Sequence, residues 1–237
     1  MEGAKMIARA AASTLGQAIL PLTFVPTNYH TGACFDASLP DGSRDQALLA
    51  KVVIVDPECM TGMSQKERAV SGFAALSECI SAYTAADAQP LTDAMALYAI
   101  DILNDKLAGV CTDHADKGAW EKVVLAGVIG SMVAAETGSQ VAKGLAQAVA
   151  KTSFPADEVL LAAIVPVVID AKAGKDPFLY GKLARTMGGF TSDDCAARLC
   201  YLAKALHLDL RIADMGVHED DIATMAEAYI GEEAAEA

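Results

Sequence analysis

The chain has 237 residues, enough for a substantial hydrophobic core, and sets 31 Asp and Glu against 18 Lys and Arg for a formal charge of −13. That acidity, with no basic stripe interleaved with aromatics, excludes nucleic acid and anionic membrane as partners, since both reward clustered Lys and Arg. Just over half of the residues are apolar yet only 5% are aromatic, and alanine abounds, which favours closely packed helices over a β-sandwich.

In chain order, Met1 to Thr14 has helical spacing, with Met6, Ile7, Ala10 and Ala11 on one side. Leu20 to Val25 reads as a strand stopped by Pro26, and a polar loop from Thr27 to Asp36 follows. Leu39 to Arg44 is turn-rich around Pro40-Asp41-Gly42, and Lys51 to Val55 is a second strand closed by Asp56-Pro57-Glu58. Beyond Ser64 strand signals nearly vanish. Apolar periodicity predicts helices over 65–85, 91–107, 115–135, 138–151, 157–173, 177–187, 192–206 and 219–230. The expected organisation is an α/β unit over 1–58 and an all-helical domain over 59–237.

The apolar run Val159 to Ile169 is too short to span a bilayer and contains Pro166. Glu2 and early Gly and Pro breaks spoil a signal peptide behind Lys5 and Arg9, so the expected location is cytoplasmic. Cys34, Cys59, Cys79, Cys111, Cys195 and Cys200 contain no C-x-x-C pair, which predicts reduced, mostly buried thiols rather than a zinc site or disulfide framework.

The stretch from Ser71 to Asp93 is the most informative. Val70, Phe73, Leu76, Ile80 and Tyr83 recur at steps of three and four, and Pro90, Thr92 and Asp93 start a second helix. Ala75, Leu76, Ala82, Tyr83, Pro90, Thr92 and Asp93 match a signature running D-A-L-x-H-A-x-E-A-Y, a short loop, then P-x-S/T-D. In that wording the chain resembles the iron-containing (group III) alcohol dehydrogenases. Further landmarks fall in the family's order. Ala4-Lys5-Met6-Ile7-Ala8 resembles the helix after its glycine-rich loop. Pro26, Thr27, Thr31 and Gly32 fit its P-T-T-x-G-T-G-S-E loop, from which Asn28, His30, Ala33 and Cys34 depart. Val53 to Glu58 is close to its D-P-E turn, and Met215-Gly216-Val217 with Glu219 to Ile222 is similar to its last helix start.

The resemblance implies a mainly α fold: the family's helical C-terminal domain preceded by a small α/β remnant of its nucleotide-binding domain, the first part of which has no counterpart here. It also implies hydride transfer between an alcohol and a nicotinamide, with a divalent metal polarising the alcohol oxygen. The family holds that metal with one Asp and three His, the first two at i and i+4 on one helix face. Here these four positions carry Ala74, Glu78, Lys143 and Ala156, with Gln147 at a nearby His position and Asp157 following Ala156. Two alanines cannot ligate, and a protonated ammonium cannot either. As to the histidines themselves, His30 reads as a solvated loop residue, His114 as part of a helix-initiating turn, His207 as a helix end, and His218 as a first-turn residue.

The expectation is therefore a degenerate, non-catalytic relative serving as a packing or assembly subunit, with no cofactor and no metal. Thr27, Thr31 and Gly32 are its vestigial cofactor-binding positions, and a homo-oligomer or a partner chain is expected to cover the α/β remnant. Two alternatives stand beside it: an NAD(P)-linked, Fe- or Zn-dependent oxidoreductase completed by a second chain, and a small-molecule binder using the old cleft. A Glu78–Lys143 ion pair, with Gln147 nearby, is expected where the metal would sit, because either charge buried alone costs several kcal/mol.

Overall fold

The computed structural model describes residues 2–37, 39, 44–112, 116–137, 157–208 and 227. Its elements, in order, are α1 (Glu2–Leu15), β1 (Leu22–Phe24), β2 (Ala50–Val53), α2 (Gln65–Tyr83), α3 (Pro90–Val110), α4 (Lys117–Glu136), α5 (Asp157–Lys172), α6 (Pro177–Thr186) and α7 (Asp194–Ala205). The fold is mainly helical, as the periodicity requires. The helices expected over 138–151 and 219–230 lie outside the described residues, apart from Glu227.

The helix starts are written locally. Ser64 and Glu67 form a reciprocal capping box at the head of α2, and the carboxylates of Asp116 and Asp176 accept from Ala119 N at 2.8 Å and Leu179 N at 2.9 Å. Helix α7 begins differently: Asp194 reaches back, its Oδ2 accepting from the backbone N–H groups of Phe190 and Thr191, both at 2.8 Å. Just past its C-terminal cap at Leu206, His207 adopts the left-handed φ of 55° that glycine supplies most cheaply.

Helix α2 is the axis of the structure. Every residue from Ser71 to Tyr83 is buried, and α3, α4 and α5 pack around it. A helix enclosed on all sides must place its small and polar residues where neighbours come close, and α2 does so with Ala74, Ala75, Ser77, Glu78 and Ser81. Helix α4 is the one described helix long and apolar enough to cross a bilayer, but over half of that stretch is buried against the rest of the fold. Pro166 sits within α5, where Leu160 to Val165 are nonetheless buried core residues.

Residues 2–56 are organised otherwise. Strands β1 and β2 pair in parallel, Leu22 opposite Ala50 and Phe24 opposite Val53, with a register irregularity after Leu22. Ile54 N extends the ladder to Phe24 O at 2.9 Å. No residue of β2 is buried, and Lys5 is the one buried side chain among those described in α1, its ammonium donating to the Asp36 carbonyl. Met6, Ile7, Leu15, Leu20, Val25, Val52, Ile54 and Val55 are all exposed. A short two-stranded parallel sheet with open apolar faces is the sort of element that gains its stability from further packing.

The loop after β1 joins the two regions. Tyr29 is fully buried, with its ring edge-on to Trp120 of α4 at a centroid separation of 5.6 Å. Arg68 of α2 lies 4.7 Å over the same indole, and Trp120 Nε1 donates to Pro57 O at 3.1 Å. Gly127 of α4 makes this possible, since a Cβ there would lie 2.5 Å from the Tyr29 carbonyl oxygen.

Candidate functional site

Ala74 and Glu78 lie one turn apart on α2, both enclosed, Ala74 at 0% and Glu78 at 3% exposure. Ala74 offers only a methyl group. The Glu78 carboxylate cannot remain without partners at this depth, and the fold supplies them from two other segments. His30 Nε2 lies 2.9 Å from Oε1, and Ser131 Oγ of α4 donates to Oε2 at 3.1 Å. Ser131 Oγ in turn accepts from the Thr31 backbone N–H at 3.0 Å. One carboxylate therefore ties the 30–31 loop, α2 and α4 together.

The approach is close. A Cβ on Gly32 would stand 3.1 Å from Glu78 Oε1, so the loop backbone rests directly on the carboxylate. Cys79, next along α2, is a fully buried thiol whose pKa is driven far above its ordinary value by burial first and by the Glu78 charge second. Tyr29 is shifted upward as well, by burial and then by Cys111, with Arg68 opposing. In both groups burial favours the neutral form.

The three positions expected to seat a cofactor, Thr27, Thr31 and Gly32, have different surroundings. Thr27 borders a cleft of about 350 Å³ between the loop and the first turns of α2, lined also by Asn28, Met63, Lys66, Glu67, Val70 and Ser71. Thr31 is fully buried, its N–H turned to Ser131, while Gly32 faces Glu78. Lys143, Gln147 and Ala156 lie outside the described residues, as does the Asp157 side chain, so the expected Glu78–Lys143 pair is not addressed. Sequence reasoning missed Ser131 and treated His30 as a solvated loop residue, whereas its side chain is only 20% exposed. The small residues of α4 are the available signal: Gly127 and Ser131 receive the loop at Tyr29 and Thr31, and Gly130 lies against Ala75 and Cys79 of α2.

The fold just described, a helical body with α2 at its axis behind a small parallel strand pair, has known counterparts. The profile of the Fe-containing alcohol dehydrogenase family, C-terminal, matches residues 68–236. The chain belongs to the iron-containing alcohol dehydrogenase family. It is 27% identical over 190 residues to the lactaldehyde reductase of Escherichia coli K12, covering 77% of this chain and 49% of that one. It is 26% identical over 187 residues to alcohol dehydrogenase 4 of Saccharomyces cerevisiae, with the same coverages of 77% and 49%. The chain thus spans about half the length of the curated relatives it matches. The solved iron-containing alcohol dehydrogenase of Corynebacterium glutamicum superposes with a TM-score of 0.81 at 21% identity, over 95% of this chain and 64% of that one. Maleylacetate reductase of Agrobacterium tumefaciens gives 0.80 at 23% identity, over 95% and 64%.

Among the described residues, the iron that names the family finds no matching donor set. A hard or borderline divalent cation wants several carboxylate and imidazole lone pairs aimed at one point. Ala74 presents none, Ala156 has none to present, and Glu78 already has His30 and Ser131 on its two oxygens. Among the described residues no three His, Cys, Asp or Glu side chains are grouped as a metal site requires. The described residues at this locus do not fit the metal.

Proposed function

We propose that this chain is a degenerate, non-redox member of its family that acts as a packing or assembly subunit and uses neither a metal nor a nicotinamide cofactor. The observation that carries this reading is the state of the α2 pair: Ala74 has no donor atom, and the Glu78 carboxylate is engaged by His30 and Ser131. Without a Lewis acid at that locus nothing polarises an alcohol oxygen for hydride departure. The exposed apolar side chains of α1, β2 and the residues flanking the strands, Ile7, Leu20, Val52 and Ile54 among them, provide the surface for association, by a second copy or a partner chain. The test is metal analysis of the purified protein with an assay of nicotinamide-dependent alcohol oxidation and aldehyde reduction, alongside light scattering over a range of concentrations. The reading expects substoichiometric metal, no turnover and a species larger than a monomer. Stoichiometric iron or zinc with hydride transfer would overturn the non-redox part, and a monomer at every concentration would overturn self-assembly.

A second reading, binding of a small molecule, is favoured by the cleft at Thr27, which is open and bordered by both apolar (Met63, Val70) and polar (Asn28, Lys66) residues. Ligand-dependent protection of the Thr27–Asn28 segment from hydrogen exchange would support it.

A further inference from the structure

We propose that Glu78 is the structural substitute for a cation: its buried carboxylate latches the 29–32 segment onto α2 and α4, and no ion is needed to hold this locus closed. The inference deepens the non-redox reading and rests on it for the statement that the locus has changed its chemistry.

The polarity of the network is the argument. A metal centre is a positive point surrounded by inward-facing lone pairs. Here the centre is an anion, and hydrogen-bond donors face inward instead: Thr31 N–H to Ser131 Oγ at 3.0 Å, Ser131 O–H to Glu78 Oε2 at 3.1 Å, and His30 Nε2 to Glu78 Oε1 at 2.9 Å. Charge-assisted bonds to a carboxylate are stronger than neutral ones, and donors arranged in series polarise one another. His30 and Thr31 are adjacent in the chain, so the two arms leave one short stretch of backbone and converge on the two oxygens of a single side chain. That closes a ring through three segments.

The surroundings are shaped for the ring. Ser131 is fully buried, Gly32 brings its backbone against Oε1, and the Tyr29 carbonyl sits where only a glycine at 127 admits it. His30 and Glu78 also differ from the family wording that the chain resembles, in which the loop position is glycine and the α2 position is a metal ligand. Changing that ligand to Glu78 and gaining His30 are two halves of one rearrangement: each places a group that the other satisfies. A buried carboxylate with no donors would be costly, and so would a large imidazole packed into this loop with nothing to receive its N–H.

The experiment is a double-mutant cycle on the intact chain, using His30→Ala, Glu78→Met and the double variant, with Ser131→Ala as a gentler probe and His30→Asn as a conservative rescue. Glu78→Met keeps volume while removing the acceptor oxygens. Thermal unfolding and hydrogen exchange at the Thr31 amide are read for each, with and without EDTA and with added Zn²⁺, Mn²⁺ or Fe²⁺. The latch requires each single variant, Ser131→Ala included, to speed Thr31 exchange at least tenfold. The double variant must do little more than the worse single one, and His30→Asn must recover part of the protection. The wild-type melting temperature should be indifferent to chelator and to added metal. Additive single variants would overturn the proposal, and so would a wild type stabilised by one of these ions with the effect lost in His30→Ala. Hydride-transfer activity would defeat the non-redox reading while leaving the cycle unaffected, so the two can fail separately.

Discussion

Helix α2 and strand β2 show two ways in which similarly apolar stretches are used. From Ser71 onward α2 is enclosed on every side, and even its carboxylate is supplied with donors. Strand β2, with Val52 and Val53 in four residues, has no buried residue, and α1 has Lys5 as the one buried side chain among those described. Apolar content alone therefore does not say which segment carries stability. The helical region leaves Leu91, Val167, Phe178, Phe190 and Tyr201 exposed but encloses α2 from Ser71 to Tyr83, whereas residues 2–56 have no such enclosed element among those described and are joined to the helices through Tyr29, His30 and Thr31.

The sharpest way to break this contrast is at the junction. Replacing Glu78 by Ala should destabilise the protein by about 3 kcal/mol, because two donors lose their acceptor and a buried space opens, while Ile7→Ala or Val52→Ala should stay within about 0.5 kcal/mol. Denaturant unfolding of the three variants decides it; a Glu78→Ala protein as stable as the wild type would mean the carboxylate is not what holds the regions together. Next in size, Gly127→Ala should cost roughly 1–3 kcal/mol, since the new methyl meets a backbone oxygen that cannot rotate away. Thermal melts would show it, and a neutral result would mean the loop sits further from α4.

Thiol accessibility sharpens the comparison at smaller energetic scale. Cys59 and Cys200 are exposed, whereas Cys34, Cys79 and Cys195 are buried, and burial raises all three, Cys195 to about 11 with Asp194 adding to the shift. Native iodoacetamide labelling followed by mass spectrometry should modify Cys59 and Cys200 and spare the other three until unfolding. Fast labelling at Cys79 would contradict the enclosure of α2. The smallest effect is that of the α2 cap. Glu67 is held below the usual carboxylate range by its hydrogen bonds from Ser64, so its contribution is present above the unfolded value of about 4.3 and is lost as pH falls through the lower folded value. Glu67→Gln should therefore flatten the loss of melting temperature on acidification from about pH 5 to 3, with the two proteins' profiles converging at the acid end.

Much of this architecture was legible in local signals. The expected helices at 65–85, 91–107 and 177–187 are found at Gln65–Tyr83, Pro90–Val110 and Pro177–Thr186, because capping residues and apolar periods are short-range properties. The strands at 20–25 and 51–55 likewise appear as Leu22–Phe24 and Ala50–Val53. Family wording around Ala75, Leu76 and Tyr83 singled out Ala74 and Glu78, which lie one turn apart and buried on α2. What could not be read was the partner. His30 and Glu78 are 48 positions apart, Ser131 a further 53, and no period or spacing connects them. Their meeting depends on how closely the loop backbone approaches α4, which only the assembled helices determine.

Isothermal titration of the purified, chelator-treated protein with Fe²⁺, Zn²⁺ and Mn²⁺ tests the account most directly. It predicts no one-to-one binding at micromolar affinity or tighter, because Ala74 offers no donor and Glu78 already serves His30 and Ser131. Tight stoichiometric binding of any of the three, abolished by Glu78→Met, would contradict it.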